Sequence, residues 1–142
     1  MKCVIVYFSR YGNGKKIVEH LAGTFQEKGA ETQLLRVAEA NPTAMPLADN
    51  YVFSAPAEGF NLQMDMRQFM KQLAGVEGRK YGIINTHAMN KSRLAKMERL
   101  LSKKDMVKVA ELDFKVVGDT KSGNGLPEGW EARVDEFAKK LF

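Results

Sequence analysis

Cysteine, histidine and tryptophan are nearly absent from this chain: among its 142 residues there are one cysteine, two histidines and one tryptophan. A lone thiol, Cys3, excludes a disulfide within the chain and any cysteine metal cluster. Its expected role is that of a small apolar residue in the first strand. Long apolar runs are also missing. The N-terminal run Val4 to Phe8 is far shorter than the roughly 20 residues that span a bilayer, and it lacks a signal-peptide cleavage pattern. No membrane association is expected, and a cytoplasmic address follows by default. No repeat or low-complexity segment interrupts the chain.

Charge of either sign is plentiful. Lys and Arg number 22 against 17 Asp and Glu, a net charge of +5, and the sequence pI is near 9.3. That surplus favours anionic ligands or acidic partner proteins. The basic residues are interspersed with acidic ones, and the pairs Lys15-Lys16, Lys103-Lys104 and Lys139-Lys140 read as solvated helix ends. None of the signatures of nucleic-acid binding is present, so no nucleic-acid partner is expected. Hydrophobic residues at 44% and charged residues at 27% place the chain among ordinary globular proteins, and its length suits one domain, residues 1–142.

Hydrophobic periodicity divides the chain into alternating elements. Lys2 to Phe8 is β-rich and nearly all apolar, as a strand covered on both faces should be. From Lys15 to Lys28, Ile17, Val18, Leu21, Ala22 and Phe25 share one helical face, with Gly29 as a stop. Glu31 to Val37 predicts a second strand, and 41–50 reads as a crossover loop with at most a turn of helix. Tyr51 to Ala55 predicts a third strand, ended by Pro56. Leu62 to Leu73 carries a helical stripe of Leu62, Met66, Phe69, Met70 and Leu73. Lys80 to Thr86 predicts a fourth strand, and Leu94, Met97, Leu100 and Leu101 a third helix. Asp105 to Val117 is strand-like with a change of apolar parity, which predicts a bulge near Glu111. Glu128 to Leu141 closes the chain as a helix. Five strands alternating with helices imply an α/β fold: a parallel sheet with helices on both faces. Ligands of such sheets bind at the carboxyl ends of the strands.

The loop Ser9-Arg10-Tyr11-Gly12-Asn13-Gly14-Lys15 follows a buried strand and opens a helix. Its backbone N–H groups converge on the positive end of that helix, where an anion such as phosphate is favoured. Two glycines permit tight turns, Asn13 tolerates unusual backbone angles, and Ser9 adds a hydroxyl. The loop has neither the G-x-x-x-x-G-K-[ST] of an ATPase nor the G-x-G-x-x-G of a dinucleotide site.

With strand, loop and five-strand pattern taken together, the sequence resembles the flavodoxin family, whose first loop reads approximately Ser/Thr-x-Thr-Gly-Asn-Thr. Ser9, Gly12 and Asn13 match. Phe53-Ser54-Ala55-Pro56 with Gly59 is similar to the family's second flavin loop, and Gly125-Leu126-Pro127 is loosely similar to the segment before its last helix. The resemblance implies a three-layer flavodoxin-like domain with strand order 2-1-3-4-5, FMN as cofactor, and redox partner proteins.

It also implies a flavin site built from three loops: Ser9 to Lys15; Pro56, Ala57, Glu58, Gly59, Phe60 and Asn61; and Thr86, His87, Ala88 and Met89. Tyr11 and Gly14 stand where the family places threonine hydroxyls, so phosphate binding is expected to lose two hydrogen bonds, with Arg10 and Lys15 compensating by charge. Glu58 stands before Gly59 where the family has an aromatic residue, which leaves Phe60 and His87 as stacking candidates. Phe60 also suits an apolar staple for the following helix. Gly59 matches the family's glycine whose peptide flips to meet the one-electron-reduced flavin.

Glu58 and His87 are acid/base types, but the sequence identifies no third group to orient them. His20, inside the first helix, is expected at the helix surface. Eight methionines read as core filling, and nothing predicts a metal. The leading expectation is an FMN electron carrier. The alternatives are an NAD(P)H-dependent FMN reductase of quinones or small acceptors, and a flavin-free binding module that kept the fold.

Overall fold

The computed structural model describes residues 1–118 and 121–142. Alternation along the first strand sets the whole architecture. In β1 (Lys2–Tyr7), Cys3, Ile5 and Tyr7 enter one core while Val4 and Val6 enter the other, because successive strand side chains point to opposite faces. The first core is closed by α1 (Asn13–Glu27) and α4 (Trp130–Lys140); the second is closed by α2 (Met64–Gln72) and α3 (Leu94–Ser102). The helical stripes read from the sequence are the buried ones: Ile17, Val18, Leu21, Ala22 and Phe25 on α1, and Met66, Phe69 and Met70 on α2. Each of these side chains larger than Ala22, fully buried, contributes roughly 1.5 to 3 kcal/mol.

The remaining strands are β2 (Glu31–Arg36), β3 (Asn50–Glu58), β4 (Asn61–Leu62), β5 (Lys80–His87) and β6 (Val107–Lys115). The sheet runs β2-β1-β3-β5-β6, with β4 attached to β3 alone. The five long strands are parallel and reproduce the expected order; the two-residue β4 pairs antiparallel with β3. Among the described residues no helix is long and apolar enough to cross a membrane.

Three local expectations are corrected. Pro56 does not end the third strand: β3 runs on to Glu58, and Pro56 sits in register with Thr86 of β5. Its carbonyl faces away from β5 and accepts from the Gln63 N–H at 3.0 Å. The N–H that proline lacks would point the same way, so no bond to β5 is lost. The second helix starts at Met64, two residues later than its apolar stripe suggested, because Leu62 is held in β4 and Gln63 caps the helix, its side chain accepting from the Met66 N–H at 2.8 Å. The bulge expected in β6 is present but falls at Val109, two residues before Glu111, since Tyr81 pairs with Lys108 while Gly82 pairs with Ala110.

His20 is likewise more than a helix-surface residue. Its Nε2 lies 2.9 Å from Asp135 Oδ1 and its ring stands edge-on to Trp130 at 5.4 Å, so it joins α1 to α4. Burial alone would raise the Asp135 carboxyl, but hydrogen bonds from Thr24 and His20 hold it below the ordinary range.

Candidate functional site

The chain must leave β1 and enter α1 within five residues, and Gly12 makes that turn. Its φ of +104° is a region that side chains penalise, and it serves as the helix N-cap without any side-chain cap. The first turn of α1 carries no acidic residue, so the positive end of the helix is left uncompensated. Ser9 folds back over this turn: its Oγ accepts from the Gly12 N–H at 3.2 Å and from the Lys15 N–H at 3.1 Å. Among the described residues the Gly14 N–H has no partner.

A second wall comes from the end of β3. Glu58 and Asn61 pair across a two-residue hairpin with Gly59 at φ +60°, the first central position at which such hairpins take glycine. Asn90 ties this hairpin to the loop after β5: its Nδ2 donates to the carbonyls of Ala57 and Gly59, both at 3.2 Å, and its Oδ1 accepts from the Ala88 N–H at 3.0 Å. Below them, buried Asn85 donates to the Ala55 carbonyl at 2.9 Å and accepts from the Arg93 N–H at 2.9 Å.

The segment before α4 supplies a clamp. The Asn13 side-chain oxygen accepts from the Gly125 N–H at 3.0 Å, and Lys16 Nζ donates to Asn124 Oδ1 at 2.7 Å. A Cβ on Gly125 would lie 2.2 Å from Val116 Cγ1 and 2.9 Å from the Val117 carbonyl, so this segment seats against the end of β6 only as glycine.

Between these walls, at the carboxyl ends of the strands, lies a cleft of about 330 Å³, within the range of small-molecule sites. Of the expected residues, Ser9, Arg10, Tyr11, Asn13, Gly14, Pro56, Ala57, Glu58, Gly59, Thr86, His87 and Ala88 line it, together with Phe8 and Val116. Gly12, Lys15, Phe60, Asn61 and Met89 do not line it.

Gly12 shapes the loop, Asn61 accepts from the Leu62 N–H at 2.8 Å, and Lys15 Nζ turns down the helix to Glu19 at 3.7 Å. Phe60 and Met89 project into solvent, 97% and 102% exposed. Phe60 is therefore no staple for α2: it packs on no helix, and its face is open at the rim.

Charge in the cleft is arranged in two pairs. Arg10 reaches across the mouth to Glu58, with its Nη2 2.9 Å from one carboxylate oxygen and its Nε bonded to the other, and its guanidinium lies 5.1 Å above the Phe8 ring. The Glu58 hydrogen bond and charge push the Arg10 guanidinium further up from an already high value. On the opposite wall His87 Nδ1 lies 3.1 Å from Asp113 Oδ1. Glu58 and His87 thus share one cleft, but each has its own partner.

Asp113 escaped the sequence reading. The register that sets Asn85 opposite Asp113 and His87 opposite Lys115 makes it the diagonal neighbour of His87, and that register is invisible along the chain.

Comparison with protein families matches a flavodoxin domain over residues 4–115. Comparison with curated protein sequences gives no match. Oxidised flavodoxin 1 from Bacillus cereus superposes with a TM-score of 0.79 at 15% identity, covering 99% of this chain and 97% of its own. The two-electron reduced flavodoxin of Megasphaera elsdenii gives 0.77 at 16%, covering 98% and 97%. A flavo-di-iron protein from Thermotoga maritima gives 0.74 at 15%, covering 99% of this chain but 34% of that one. At these identities the superpositions establish the shared fold.

Proposed function

The chain belongs to the flavodoxin domain family, and from that premise we propose that it binds FMN in the cleft and carries electrons between redox partner proteins in the cytoplasm. The observation that carries this reading is the Ser9 to Lys15 turn: a glycine N-cap, an acid-free first helical turn and an unpartnered Gly14 N–H at the floor of an open cleft. Those features suit a phosphate ester, which such helix starts attract. Bound FMN would supply the one- and two-electron redox chemistry of its flavin ring.

The chain's own residues supply the rest. Ser9 and the backbone of 10–15 hold the phosphate, Pro56 to Gly59 and Thr86 to Ala88 flank the ring, and Tyr11, Phe60 and Met89 offer apolar surface at the rim. The net charge of +5 supports partners with acidic docking faces. The test is the visible spectrum of the purified protein before and after FMN addition. Binding is expected to perturb the flavin bands and quench their fluorescence; unchanged flavin spectra would end the reading.

One observation favours a second reading, a flavin-free module of this fold. Ser9 Oγ already takes the N–H groups of Gly12 and Lys15, and Glu58 already takes Arg10. Failure of FMN to bind selects it.

A further inference from the structure

We propose that His87, positioned by Asp113, is the cleft's proton-exchange residue, taking up a proton as a bound flavin is reduced and releasing it on reoxidation. This rests on the flavin reading above. It starts from a geometry that electron transfer alone does not need. His87 ends β5, lines the cleft and has a side chain only 14% exposed.

A carboxylate can only accept, so the His87 Nδ1···Asp113 Oδ1 bond of 3.1 Å places the proton on Nδ1. That fixes both the ring's orientation and its tautomer. Nε2, on the other edge of the ring, has no hydrogen-bond partner among the described residues. A half-buried carboxylate behind one nitrogen, and an unpartnered second nitrogen on a residue that lines a ligand-sized cleft, is the arrangement of a positioned acid/base.

The cleft's other charges do not compete for this task. Arg10 and Glu58 neutralise each other across the mouth, and Lys115 stands opposite His87 in β6. Among the described residues that line the cleft, the remaining titratable side chain is the Tyr11 phenol.

The step balances simply. Two electrons arriving from a one-electron donor protein in two transfers would add negative charge to the cleft. The neutral His87 imidazole offsets part of that charge by taking a proton from the solvent buffer on its Nε2 lone pair, forming an Nε2–H bond, and reoxidation breaks that bond and returns the proton to solvent. Asp113 never gives up or takes a proton; it holds the ring and stabilises its charged form.

The experiment exploits the scarcity of histidine. With only His20 and His87 in the chain, His20→Gln assigns the two imidazole signals in a proton NMR titration. The protein is titrated alone, with FMN, and with FMN reduced by dithionite, beside the variants His87→Gln and Asp113→Asn. FMN binding is first read from the flavin spectrum, and folding of each variant from circular dichroism.

The expected result is that the His87 midpoint moves between the oxidised and reduced complexes while His20 stays still. Between those midpoints, potentiometry should find one additional proton bound per two electrons in the unaltered protein and none in His87→Gln. Asp113→Asn should lower the His87 midpoint while keeping the ring in place, a change that a purely structural partner would not produce. A bound flavin with a His87 midpoint indifferent to its reduction overturns the proposal alone. Absence of flavin binding overturns the flavin reading and takes this proposal with it.

Discussion

Arg10 and Glu58, 48 residues apart in sequence, close a two-point ion pair across the mouth of the cleft, joining the turn before α1 to the end of β3. A lone carboxylate beside a flavin would lower its potential by repulsion. Paired, the carboxylate is largely neutralised, and the two charges compete with any anionic ligand for each other.

The pair predicts opposite effects for its two halves. Glu58→Gln frees the guanidinium and should tighten FMN binding, whereas Arg10→Gln leaves a bare carboxylate at the mouth and should weaken it. Both groups are solvent-exposed, so each change should be about two- to fivefold, and the double variant should return near the starting affinity. Calorimetric titration at two salt concentrations measures this, the effects shrinking at the higher one. Equal affinities in both single variants would mean that the pair does not face the ligand.

Gly12 separates backbone strain from charge. A Cβ there would meet only the Gly123 Cα, at 3.7 Å, so Gly12→Ala has room but is strained by the φ of +104°, at a cost of about 1 to 3 kcal/mol. Gly12→Asp adds to that a negative charge where the phosphate is placed. Thermal denaturation should show similar losses for both variants, while flavin fluorescence titration should show residual binding for Gly12→Ala and none for Gly12→Asp. Unchanged affinity in Gly12→Asp would move the phosphate elsewhere.

Cys3 predicts an alkaline limb in stability. Burial in the core under α1 pushes its thiol up from 9.0 to about 11. The folded state therefore favours the neutral thiol more than the unfolded chain does. That contribution is complete below about pH 9 and is lost as pH climbs toward 11, at roughly 1.4 kcal/mol per unit. Tyr81, also raised by burial, adds its own loss at higher pH in every variant. Urea midpoints at pH 8, 9.5 and 10.5 should therefore fall faster in the unaltered protein than in Cys3→Ala; parallel curves would show that the thiol does not contribute.

The layers of this fold were legible because β1, α1, α2, α3 and α4 carry apolar positions at the spacing of their own secondary structure, and burial follows that spacing directly. Ser9, Gly12 and Asn13 were legible because a loop between a buried strand and a helix has few solutions. Asp113 and Asn90 were not, since each gains its role from a partner 26 to 33 residues away through strand register and loop packing that no local pattern encodes. Pro56 misled for a related reason: a proline stops a strand only when its missing N–H faces a strand it must pair with, and here it faces away from β5.

Asn90 bears on the orientation of the Gly59 peptide. The resemblance to flavodoxins implies that the Gly59 peptide turns its carbonyl toward the one-electron-reduced cofactor, yet in this structure that carbonyl already accepts from Asn90 Nδ2 at 3.2 Å. The other hydrogen of the same amide can serve Ala57, and the bond to Gly59, long and exposed, is worth at most about 1 kcal/mol. Turning the peptide must break it. Asn90→Ala should therefore make the turn easier and raise the potential of the first electron. Gly59→Ala should do the reverse: nothing lies within 4 Å of its Cβ, so the substitution acts through backbone preference alone, restricting the orientations that glycine accepts freely. Spectroelectrochemistry of the FMN-loaded variants reads both shifts. Opposite signs support a turning peptide held back by Asn90, whereas two unmoved first potentials would show that the hairpin keeps its orientation and that Asn90 only fastens it to the loop after β5.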